Sequence, residues 1–123
     1  EFRRVLFRSA FSQESWAITP LYKTVSKETC YHLYLLRIAG VTEQQRDAIM
    51  QAIFDQDVSV NVHFQPLPIL TAYKSRGYKM EDYPEAWNKY SNEITLPVYF
   101  DLTDEQVATV TAAVKHAVKQ VLG

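Results

Sequence analysis

The run from Thr103 to the C-terminus constrains the fold more than any other stretch of the chain. Val107, Val110, Val114, Val118 and Val121 recur at alternating short intervals, the spacing that gathers side chains onto one stripe of an α-helix. Thr103 and Gln106 stand ahead of that stripe in capping-box register, where their side chains satisfy the free N–H groups of a helix start. A valine stripe of this length needs an apolar layer to lie against. The rest of the sequence has to supply that layer.

Residues 30–38, CYHLYLLRI, are predicted to form a strand, because they are aromatic and aliphatic and too short for a typical helix. Alternation sets Tyr31, Leu33, Leu35 and Arg37 on one face and His32, Tyr34, Leu36 and Ile38 on the other. Both faces are largely apolar, which predicts an interior strand covered on each side. Gly40 ends it, and Thr42 with Gln45 forms a second capping box before a helix over about 43–55, whose inward positions are Ala48, Ile49, Ala52 and Ile53. Residues 58–64, VSVNVHF, alternate between Val58, Val60, Val62 and Phe64 on one side and Ser59, Asn61 and His63 on the other, which predicts a strand with one polar face. Pro66 and Pro68 stop it, since proline donates nothing to a ladder. A short helix over about 67–75 follows, closed by Gly77, then another that starts near Asp82 with Pro84 and Glu85 in its first turn and Trp87, Tyr90 and Ile94 as its stripe. Residues 94–99 could add a brief third strand. The fold class is α/β (α+β), a small sheet covered by helices. The β-α-β order is compatible with parallel pairing, and an antiparallel or mixed sheet is equally open.

A chain of 123 residues is at most one domain. A formal charge of -1 provides no field for nucleic acid or acidic lipid, and no apolar run approaches the roughly 18 residues of a membrane span. Cys30 is the only cysteine, which excludes an internal disulfide and a cysteine-based zinc cluster and suits a reducing, cytoplasmic setting. Residues 1–9, EFRRVLFRS, resemble the in-frame translation of a common short-read sequencing adapter. They are set aside from fold reasoning as an artefact that replaces upstream protein. Residues 10–29 are read as an extended lead-in with one or two turns, and residues 30–123 as one small domain.

Four stretches resemble, in order and spacing, the DegT/DnrJ/EryC1/StrS sugar aminotransferases. CYHLYLLRI is similar to their YHLYVIR strand, and VSVNVHFQPLP to a strand and loop that carries V-H-Y-x-P-L-H. TAYKSRGY is similar to YYRKLGY, and DYPEAWNKYSNEITLPVYFDLTDEQV to a segment ending SLPLYPSLTDEEQ. The resemblance runs from about residue 28 to the C-terminus, about three-quarters of the chain. Pro68 stands where the family pattern has a second histidine, and Asp57 and Val58 replace a usual glycine.

The resemblance implies the small C-terminal domain of a fold-type I enzyme that depends on pyridoxal phosphate. Such an enzyme moves an amino group, usually from glutamate, to a ketone of a nucleotide-linked sugar, for surface polysaccharide or other amino-sugar biosynthesis. It also implies a homodimer in the intact parent. That chemistry requires a Schiff-base lysine, a carboxylate on the pyridinium nitrogen and a cup of donors for the phosphate. The only glycines are Gly40, Gly77 and Gly123, and none opens a phosphate loop. No catalytic or cofactor-binding residue is therefore assigned, and the chain alone is expected to be inactive. It is also expected to be poorly soluble or loosely folded, through surfaces shaped for an absent large domain. A free-standing α/β binding or dimerisation module is the alternative.

His63 matches the family histidine and is the leading substrate-binding candidate, with Phe64 and Gln65 beside it. A hydrogen-bonded histidine on a half-exposed sheet face is the competing role for His63, and a place in the core for Phe64. His32 is expected as a satisfied core histidine, Tyr73 and Tyr78 as packing residues, Arg37 in an ordinary ion pair with a phosphate of the assembled dimer as the alternative, and His116 on an exposed helix face. Asp101, Asp104 and Glu105 are assigned to a helix N-terminus, where negative charge complements the dipole. No metal pair follows from the spacing of His32 and His63.

Overall fold

The computed structural model describes residues 2–123. In chain order these form α1 (Phe2–Phe11), β1 (Ala17–Ile18), β2 (Tyr34–Ile38), α2 (Glu43–Phe54), a 3-10 turn (Leu67–Ile69), α3 (Thr71–Lys74), a second 3-10 turn (Met80–Asp82), α4 (Pro84–Ser91), β3 (Glu93–Leu96) and α5 (Asp104–Leu122). Both capping boxes form. Thr42 and Gln45 exchange side chain to backbone hydrogen bonds of 3.2 and 2.9 Å at the head of α2. Thr103 and Gln106 repeat the exchange at 3.1 and 2.8 Å at the head of α5.

The strands pair antiparallel in the order β1-β2-β3. Helices α1, α2 and α5 cover one face of this sheet. The core joins Tyr34, Leu36 and Ile38 of β2 and Ile94 and Leu96 of β3 to Ile49 and Ile53 of α2 and to the α5 stripe. Val107, Val110, Val114 and Val118 are buried, while Val121 at the last turn is half-buried.

Residues 58–64 do not form the expected strand. Only Asn61 is bridged, antiparallel to Thr95, so the segment lies beyond β3 and runs in the direction of β2 with β3 between them. The β-α-β order is thus split by a strand from later in the chain, and direct parallel pairing is blocked. The alternation survives as burial, with Val58 and Val60 buried and Ser59 and Asn61 exposed.

Other expectations shift for local reasons. The first strand begins at Tyr34 rather than residue 30, because Tyr31 takes a φ of 61° and turns the chain out of extended geometry. Its second face is only half-covered, at Leu35 and Arg37, so the strand is interior by pairing but not covered on both sides. Ile94 belongs to β3 and not to the stripe of the preceding helix, which ends at Ser91. Asp82 does not cap that helix, whose N-cap is Tyr83. On α2, Ala48 is exposed and Arg46 takes an inward position instead.

Of residues 1–9, Glu1 lies outside the described residues. The others belong to α1, which sends Phe7 and Phe11 into the core. Residues 10–29 include the end of α1, the short β1 and a bridge between Lys23 and Glu28.

Candidate functional site

Directly opposed residues in an antiparallel pair share a face. Leu36 opposes Ile94 and Tyr34 opposes Leu96 on the core side. The register then puts Leu35 opposite Thr95 and Arg37 opposite Glu93 on the other side. This second face carries the site.

His63 folds onto that face just past the Asn61 bridge. Its Nδ1 lies 2.9 Å from Thr95 Oγ1, and its backbone N–H donates to Glu93 Oε2 at 3.2 Å. The Thr95 hydroxyl donates to Glu93 Oε1 at 2.5 Å. Glu93 is 4% exposed. That burial pushes its carboxyl above the ordinary range, against the hydrogen bonds from Thr95 and His63 and the charge of Arg46. Arg46 reaches the region from below, donating to the carbonyls of Tyr90 at 2.7 Å and Glu93 at 3.1 Å.

A cavity of about 550 Å³ opens beside this cluster, with Arg37, His63, Phe64, Lys89 and Glu93 in its wall. Arg37 donates from Nε to Asn92 Oδ1 at 3.0 Å and from a terminal nitrogen to the Asn88 carbonyl at 3.4 Å. Both acceptors are neutral, and among the described residues the expected ordinary ion pair does not form. The guanidinium lies at the cavity wall. A cation, an imidazole edge and an aromatic ring around one cavity suit an anionic, hydroxyl-rich ligand. This arrangement can bind and orient such a ligand.

The three substrate-binding candidates separate. His63 is half-buried in the wall, Phe64 is 75% exposed at the cavity, and Gln65 is exposed beyond it. Phe64 does not join the core, because the chain leaves β3 after Asn61 and the two-residue period loses its sheet. His32 is exposed, not buried, because it precedes the ladder, and its Nδ1 lies 3.0 Å from Cys30 Sγ. Tyr73 and Tyr78 pack edge to face at 5.8 Å. Asp101, Asp104 and Glu105 are exposed, Asp104 and Glu105 occupy the first turn of α5, and Asp104 pairs with Arg3. His116 is exposed as expected. Sequence reasoning missed Glu93 and Thr95. The alternation Glu93-Ile94-Thr95-Leu96 carried the signal, had the third strand been started one residue earlier.

Lys115 is tied to Glu14 at 3.0 Å, and the other lysines are exposed. Side-chain caps already occupy the N-termini of α2 and α5. Among the described residues no group of three or more potential metal ligands occurs, and no helix is long and apolar enough to cross a membrane.

The profile of the DegT/DnrJ/EryC1/StrS aminotransferase family matches residues 6–115. The spore coat polysaccharide biosynthesis protein SpsC of Bacillus subtilis is 34% identical over 119 residues, covering 92% of this chain and 30% of SpsC. Spr1654 of Streptococcus pneumoniae, described as a sugar aminotransferase and solved in its PLP form, superposes with a TM-score of 0.91 at 36% identity. That match covers 99% of this chain and 32% of Spr1654. The aminotransferase PseC of Helicobacter pylori, at 17% identity and a TM-score of 0.78 over 97% of this chain and 32% of its own, shares the fold. The chain spans about a third of the length of the relatives it matches.

Proposed function

The chain belongs to the DegT/DnrJ/EryC1/StrS aminotransferase family, and from that premise we propose that it forms a substrate-facing portion of a sugar aminotransferase. The intact enzyme would move an amino group from an amino acid, glutamate in our reading, to the keto group of a nucleotide-linked sugar for polysaccharide or other amino-sugar biosynthesis. One observation carries the assignment of this face: His63 is anchored to Thr95 beside a cavity whose wall also holds the guanidinium of Arg37. In this reading Arg37 meets the diphosphate, His63 a sugar hydroxyl, and Phe64 and Gln65 the sugar or the base. Pyridoxal phosphate and the lysine that holds it would belong to the parent outside this chain, which would work as a cytoplasmic homodimer.

The test is the first half of the reaction, which needs no knowledge of the sugar. The purified chain, given pyridoxal phosphate and glutamate, is expected to release no 2-oxoglutarate above the level of free coenzyme. Stoichiometric 2-oxoglutarate would overturn the assignment of the coenzyme site to another part of the parent.

A further inference from the structure

The hydrogen bonds around His63 specify more than its position. A threonine hydroxyl has one proton to give. With the carboxylate ionised, Thr95 gives it to Glu93 Oε1, 2.5 Å away. The second carboxylate oxygen accepts the backbone N–H of His63, so both oxygens of Glu93 act as acceptors. With its proton committed, Thr95 Oγ1 can only accept from the ring of His63, 2.9 Å away. The ring proton must then sit on Nδ1, and a neutral imidazole with its proton there presents a bare lone pair at Nε2. No described residue bonds to Nε2, and the ring lines the cavity.

We infer that Glu93 and Thr95 are positioning residues, which hold His63 in its Nδ1–H tautomer and offer Nε2 to the ligand as a hydrogen-bond acceptor. This rests on the reading of His63 as a substrate contact, and it narrows that contact to a donor group on the ligand, a sugar hydroxyl rather than a phosphate oxygen. The division of labour within the cavity follows. Arg37 takes the anion, because it has only donors and a full charge, and His63 takes a hydroxyl. Other charged groups near the chain of bonds are Arg37 on β2 and Lys89 on α4 at the same cavity, Arg46 acting on Glu93 from α2, and His32 at a neighbouring cavity that His63 also lines.

The experiment is long-range nitrogen–proton correlation NMR of the imidazoles in the full 123-residue chain, uniformly labelled with nitrogen-15 and free of ligand. It is run at an alkaline pH, well above the ordinary carboxylate and imidazole ranges. The chain has three histidines, so the His63 signal is identified by its loss in His63→Gln. His63 is expected in the Nδ1–H form, whereas exposed His116 shows the Nε2–H form usual for free imidazole. Thr95→Ser keeps the hydroxyl and is expected to keep the Nδ1–H form. Thr95→Val removes the acceptor and is expected to return His63 to the Nε2–H form. Glu93→Gln weakens the acceptor that commits the Thr95 proton, and is expected to move the population part of the way. An Nε2–H majority in the unaltered chain would overturn the inference, as would a tautomer unchanged in both Thr95→Val and Glu93→Gln. If Thr95→Val does not fold, the contrast between Thr95→Ser and Glu93→Gln decides in the same way. Because no ligand is present, failure here leaves the substrate-contact reading of His63 standing.

Discussion

Arg46 is the side chain whose removal should be felt most. It is 1% exposed, its guanidinium lies over the Tyr90 ring at 4.9 Å, and it supplies the donors for two buried carbonyls. Arg46→Met fills much of the volume but removes the side-chain donor to the Glu93 carbonyl, while the Tyr90 carbonyl keeps the backbone N–H of Asn92, at a cost of about 2 kcal/mol. Urea denaturation would measure this, and a loss below about 1 kcal/mol would show that the Glu93 carbonyl finds water or another partner. Glu93 makes a prediction of opposite character. Its carboxyl is raised by burial, so the folded state holds the proton more tightly than the unfolded chain. Its contribution to stability is therefore full below the ordinary carboxylate range and is lost as pH rises through the elevated folded value. The stability of Glu93→Gln relative to the unaltered chain should accordingly rise with pH across that window. A relative stability that falls there would show that the carboxylate is better accommodated than its burial implies. Neither residue was legible in the sequence as structural. Arg46 occupies an inward position on a helix whose capping box announced it, but the two carbonyls it reaches lie more than forty residues away and leave no local trace. His63 was legible as a site residue because it ends an alternating run, while Glu93 and Thr95 that orient it reach it only through the Asn61 bridge.

The elements that could be read from the sequence are those whose signals lie within themselves. Helices α2 and α5 each carry a Thr-x-x-Gln box and an inward stripe inside one continuous segment, and both start where the boxes placed them. Thr103→Ala removes one side-chain acceptor and frees an N–H at the head of α5, and should cost about 1 kcal/mol. Thr103→Ser should be nearly neutral in the same unfolding measurement, and an alanine variant as stable as the serine one would deny the box any energetic role. The strands were harder to read because pairing is non-local. The alternation over residues 58–64 reports which side chains face the core, and it is silent on whether the segment has ladder partners. With β3 supplying a single bridge, burial kept the two-residue period for Val58 and Val60 and lost it at Phe64.

At the scale of the molecule, the core is closed on one face of the sheet and the other face is left to the cavity. Several large apolar side chains remain in solvent, among them Phe100 at 100%, Phe64 at 75% and Leu21 at 69% exposure. A contiguous core predicts a chain that folds, and these side chains predict that its difficulty lies at the surface. Sedimentation velocity should show a weight-average mass that climbs with concentration, and Phe64→Ser together with Phe100→Ser should lower that climb. A monodisperse monomer at all concentrations would mean that these side chains are not an interface. The same geometry underlies the central claim, that the face built from Arg37, His63, Thr95 and Glu93 meets the sugar nucleotide in an enzyme whose coenzyme chemistry is done elsewhere. The most direct measurement replaces the matching third of Spr1654 with this chain and compares steady-state kinetics of the hybrid with and without His63→Gln. Under the proposed function the hybrid is expected to aminate the sugar substrate of Spr1654, with its KM raised about tenfold by the substitution, as for the loss of one ligand hydrogen bond, and the amino-donor half-reaction unchanged. An unaltered KM for the sugar substrate, or an effect confined to the amino-donor half-reaction, would contradict the account.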